Sequence, residues 1–140
     1  MTTAEADRAA AMPWSVEAEQ SFLGGVMLDP DALLRTAGRC PEPAQFFDYR
    51  HRVILAAILE MMARHLPVDV ITTCERLQSM GKLEECGGLP YLEALAQSVP
   101  SASNIARYAE IVSEKATRRA IIAAADKAME IAREPGEADG

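Results

Sequence analysis

Between Pro100 and Pro135 the chain contains neither glycine nor proline, the two residues that most readily end a helix. Ser101 and Ser103 open this tract, and their hydroxyls can accept from the orphan amides of a first turn. The tract is therefore expected to be helical throughout. At about 100° per residue, Ile105, Tyr108, Ala109, Val112 and Ala116 share one face, with Arg107, Glu110, Ser113 and Glu114 opposite. In the second half the apolar set is Ile121, Ile122, Ala125, Ala128, Met129 and Ala132, which lies half a turn round from the first. The stripe reverses between Lys115 and Ala120. Two readings follow: the chain turns back near Lys115–Arg119 as a helical hairpin, or one long helix packs on its own domain with one side and on a partner with the other. Either leaves an apolar face for something else to cover, which argues for binding and not for catalysis.

The remaining composition narrows the class. A chain of 140 residues suits one domain. Few aromatics and many Ala, Leu, Ile and Met favour helix. A net charge of -7 opposes direct gripping of nucleic acid, since Lys and Arg supply most backbone neutralisation. Cys40, Cys74 and Cys86 have no paired spacing, so neither a disulfide framework nor a zinc site is indicated, and reduced, mostly buried thiols in a cytoplasmic protein are expected. No run is long enough to span a bilayer, and no basic flank with an apolar core opens the chain.

Read in order, residues 1–12 carry too little apolar pattern to pack and are expected to form a disordered arm. Ser15 caps a first helix running to about Leu28, in which Gly24 and Gly25 form a notch for a neighbouring helix. Asp29-Pro30 starts a short second helix that Gly38 stops. Phe46, Phe47 and Tyr49 are expected to wedge a loop into the core. Asp48 caps a third helix, rich in Ile, Leu and Met, expected to be the central buried one, with His51 and His65 near its ends in solvated or capping roles. Asp69 caps a fourth helix ending at Gly81, and a fifth covers about Leu89–Gln97 with Tyr91 on its side. Gly81-Lys82 is no phosphate loop, because Arg76 stands where a glycine is required and Leu83 where Ser or Thr is. No nucleophile, base and acid arrangement, paired-carboxylate motif or His-Glu-x-x-His motif occurs. Residues 135–140 read as the start of a linker.

The blocks Glu-Ala-Glu-Gln at 17–20, Asp-Val-Ile-Thr at 69–72, Gly-Gly-x-x-Tyr-Leu at 87–92 and Pro-Ser-Ala-x-Asn-Ile at 100–105 occur in that order. Together with PWSVEAEQSFLGG, FFDYRHRVILAAI and EKATRR they resemble the N-terminal domain of the DnaB-type bacterial replicative DNA helicase, over Pro13 to about Ala132. The resemblance implies an all-α fold, with a compact multi-helix head over 13–100 and a helical hairpin for dimerisation over 101–134. In that family hairpins pair domains into dimers, three dimers form a collar on a hexameric helicase, and the collar docks the C-terminal helicase-binding domain of primase. DNA is contacted only indirectly. The ATP- and Mg-dependent motor is a separate domain beyond a linker, so no cofactor is expected in this chain, and no membrane partner. The expected dimer and partner interface comprises Tyr91, Tyr108, Ile111, Val112, Ile121, Ile122, Ala125 and Met129. By position, Tyr91 and the region of Ile122 would face primase. Ala128 stands where the family commonly has a bulky aliphatic, and Thr117 replaces a frequent Leu. Competing readings are a stand-alone regulator that binds helicase or primase, a simple homodimerisation module, and a small enzyme with a non-local site.

Overall fold

Local caps start most helices where the sequence places them. Ser15 Oγ accepts from the Ala18 amide at 3.1 Å and opens α1, Val16–Leu28. Asp48 accepts from the Arg50 amide and opens α2, Tyr49–Ala63. Asp69 and Thr72 cap each other's backbone at the head of α3, Val70–Ser79. α4 spans Gly88–Gln97 and α5 spans Ile105–Arg133, with 3-10 turns at Pro30–Thr36, Pro43–Gln45 and Glu84–Cys86 between elements. The computed structural model describes residues 2–4, 12–36 and 38–136, all-α with no strand among them. The expected arm at 1–12 and linker start at 135–140 fall largely outside the described residues.

Helix ends are equally local. α3 closes with Gly81 at φ 71, its amide donating to Gln78 O and that of Lys82 to Leu77 O. α2 closes the same way on His65, at φ 57, with Leu66 N donating to Met61 O. His65 is thus the exposed capping residue expected. The start of α5 differs from expectation. Its N-cap is Asn104, while Ser101 and Ser103 bond to each other in the preceding turn.

α1, and not α2, is the hub: it packs on α4, α5, the Pro30–Thr36 turn and α2. The reason is the glycine notch. A Cβ on Gly24 would sit 2.0 Å from Leu95 O, so the α4 backbone lies directly on the α1 backbone. Phe22, Leu23 and Val26 are fully buried beneath it, with Ile54, Leu55, Ile58, Leu77, Leu92 and Leu95 completing the core. Of the three expected wedge aromatics only Phe46 is buried, its ring 5.7 Å from Phe22. Phe47 is half-buried against Trp14, and Tyr49 is exposed, bonded to Glu85. All three cysteines are free, with Cys86 buried and the other two partly so.

The phase reversal is not a turn. α5 is a single 29-residue helix, about 43 Å long, which corrects the expected hairpin over 101–134. Nothing in Lys115–Arg119 interrupts the backbone, and the Ala-rich run beyond has high helix propensity. Arg118–Glu114 and Lys127–Glu130 pair along the helix. Its first half buries Ile105, Ala109 and Val112 on the head, whereas every residue from Ala120 to Arg133 is exposed. The last 14 or so residues project from the head by about 20 Å.

Candidate protein-interaction surface

The projecting half of α5 carries the clearest unpaired surface. Ile121 is 64% exposed, Met129 47% and Ile131 57%, with Ile122 and Ala125 exposed beside them. Ile121, Ala125, Ala128 and Ala132 follow steps of four, three and four, the spacing of a helix-packing seam, and three alanines in it allow close approach. Four of the expected interface residues, Ile121, Ile122, Ala125 and Met129, therefore share one accessible face. The others do not join them. Val112 is 1% exposed and belongs to the core, which corrects its assignment to the interface, because the head covers that side of α5. Tyr108 and Ile111 are partly buried against the same core. Tyr91 lies in the head on α4.

Tyr91 caps a buried polar chain. Glu19, 1% exposed on α1, accepts from Phe47 N at 2.8 Å, Asp48 N at 3.3 Å and His51 Nδ1 at 2.7 Å. An acceptor-only carboxylate assigns the proton to Nδ1 and leaves Nε2 to accept from the Tyr91 hydroxyl at 2.6 Å. Burial raises the Tyr91 pKa, so the phenol keeps that proton. Gln20 Nε2 donates to the same oxygen, and the Arg50 guanidinium lies 4.2 Å from the ring centre. The fully buried His51 thus contradicts its expected solvated or capping role. The chain joins α1, α2 and α4 at one point.

Asp48 belongs to the same corner. Burial alone would raise its pKa, but the side-chain and backbone hydrogen bonds from Arg50 and the charge of that guanidinium together hold it below the ordinary 3.8. A depressed folded pKa means a contribution present above the unfolded value and lost as pH falls through the folded one. Melting temperature should therefore fall less steeply between about pH 5 and pH 3 in Asp48→Asn than in the parent. Equal slopes would show that the cap carries no pH-dependent stability.

Comparison with known proteins decides the family. The model described as "DnaB-like helicase N terminal domain" matches residues 11–114. The chain belongs to this family. The replicative DNA helicase DnaB of Geobacillus stearothermophilus is 44% identical over 110 residues, 79% of this chain and 24% of that protein. Its counterpart in Buchnera aphidicola is 39% identical over 124 residues, 89% of this chain and 27% of that protein. The N-terminal domain of DnaB helicase from Mycobacterium tuberculosis has a similar structure, with TM-score 0.84 and 36% identity, covering 89% of this chain and 86% of that one. The chain spans about a quarter of the length of these full helicases.

Among the described residues of this DnaB-like N-terminal domain, no group of three or more His, Cys, Asp or Glu side chains is placed to hold a metal ion. No helix is long and apolar enough to cross a membrane among them. Tyr91 and Ile122 lie on different elements, one in the head and one on the projecting helix. Sequence reasoning missed the pairing of Glu19 with His51. The signal was present: Glu19 stands three and four residues before the buried Phe22 and Leu23, and His51 the same before Ile54 and Leu55. That spacing puts each polar group on the inner face of its helix.

Proposed function

We propose that this domain is the non-catalytic assembly part of a DnaB-like replicative helicase. Its projecting α5 packs on a second copy, three such dimers build a hexamer collar, and that collar receives the C-terminal helicase-binding domain of primase. The observation that carries this reading is the apolar seam on a helix half whose residues from Ala120 to Arg133 are all exposed. An exposed stripe of this width on a long helix is costly in water unless another helix covers it. The ATP-driven motor belongs, on this reading, to a different domain of the helicase. DNA meets the collar only indirectly, as the net charge of -7 favours.

Light scattering tests this. The parent should have the mass of a dimer or larger assembly, and adding the cognate primase C-terminal domain should shift it. Ile121→Glu and Ile122→Glu should each lower the mass toward the monomer while circular dichroism of the head stays unchanged. A charge at the centre of a packed seam costs several kcal/mol, so dissociation constants should rise by about a hundredfold or more. Parent mass retained in both variants would refute the assembly reading. Self-association without any response to primase would leave a homodimerisation module only.

A further inference from the structure

Beyond the seam, the opposite face of α5 borders a groove of about 550 Å3 lined by Gln45, Phe47, Arg52, Ala116, Arg119 and Ala120, among others. In this acidic chain most cations are ion-paired, but Arg52 and Arg119, like Lys115 and Arg133, are in no ion pair among the described residues. Arg119 is set rigidly: Nη1 donates to Pro13 O at 2.8 Å, Nη2 to Gln45 O at 2.7 Å, and its Cζ lies 5.2 Å from the centre of the Phe47 ring. Arg52 Nη1 reaches Phe46 O at 3.4 Å. A guanidinium has five N–H donors, so these carbonyls leave donors over on each. Burial presses the Arg119 pKa down, with Glu19 offsetting part of that and the neighbouring Arg52 adding to it. An incoming carboxylate would relieve both.

We propose that this groove docks an acidic segment of a partner protein, with one carboxylate held between Arg52 and Arg119 and its apolar neighbours resting on Phe47, Ala116 and Ala120. Two cations beside small apolar side chains suit a carboxylate flanked by aliphatics. A nucleic-acid track needs a longer run of charge. The groove face lies half a turn from the Ile121 seam, so docking here and self-association are separable.

Fluorescence anisotropy with the whole chain tests the proposal. The probes are a labelled peptide of repeated Glu-Ala-Leu, its Gln-for-Glu counterpart and a short labelled oligo-dT. The Glu peptide should bind saturably, and the Gln peptide about tenfold or more weaker. Arg52→Gln should lose a similar factor, as should Ala120→Glu, which adds a repelling charge on an exposed helix position without touching the core. Binding should persist in Ile121→Glu. No saturable binding of the Glu peptide, equal binding of both peptides, or indifference to Arg52→Gln and Ala120→Glu would overturn the proposal. Oligo-dT binding in place of the peptide would reassign the groove to nucleic acid, and loss of binding in Ile121→Glu would assign the site to the seam between copies.

Discussion

Truncating Glu19 to alanine should remove about 3–5 kcal/mol of stability, because three donors lose their common acceptor inside the core. The amides of Phe47 and Asp48 and the Nδ1 of His51 all converge on that carboxylate, which is 1% exposed. A domain of this size has about 5–15 kcal/mol in total, so the variant should unfold at a markedly lower urea concentration. The loss should also be shared with the imidazole. In a double-mutant cycle with His51→Ala, the coupling should be about 1–3 kcal/mol, whereas pairing Glu19→Ala with a distant change such as Ile131→Ala should be additive. A Glu19→Ala loss below 1 kcal/mol, on the order of a surface substitution, would mean the loop amides find other partners and the network does not anchor the Phe46–Tyr49 corner.

The second large effect sets two adjacent glycines against each other. Alanine is intrinsically better than glycine in a helix by about 1 kcal/mol, so either substitution would stabilise an isolated α1. At Gly24 the packing term wins. The new Cβ would stand 2.0 Å from Leu95 O and 2.8 Å from Leu95 C, both backbone atoms of α4, so the helices must move apart. Overpacking of this kind costs about 1–3 kcal/mol or more, and Gly24→Val should fail to fold. At Gly25 the nearest atoms, on Ala102 and Ile105, are 3.6–3.7 Å away, an ordinary contact. Gly25→Ala should be neutral or stabilising by up to about 1 kcal/mol. Urea denaturation of the two variants checks the contrast. Similar midpoints for both would show that α1 and α4 do not pack through Gly24.

These two sites also mark where sequence reasoning stops. The notch at Gly24-Gly25 was legible as a notch, since glycines inside a helical pattern need a reason. Which of the two is indispensable was not, because that depends on where the α4 carbonyls fall. His51 was misread for a related reason. Its burial is set by Glu19, distant in the chain, and only the inner-face spacing of each hinted that two polar groups would meet. Val112 stands among the expected interface residues, yet the face it shares with Ile105 and Tyr108 is the one the head covers.

The amino-acid sequence by itself determined the helix starts at Ser15, Asp48 and Asp69, the stop at Gly81, the all-α class and the reversal of the apolar stripe near Lys115–Arg119. These follow from interactions within a few residues, capping bonds, backbone dihedrals and angular spacing, and they need no knowledge of the rest of the chain. Only the tertiary structure decided that the reversal is one continuous helix, that one face of its first half is core and its second half exposed, and that Glu19, His51 and Tyr91 form one chain of hydrogen bonds. A phase reversal fits a turn and a straight helix equally well until the position of the head is known. Arg119, tied to Pro13 and Gln45, lies at the point where the head ends, and contacts across such distances in the chain are not encoded in any local pattern.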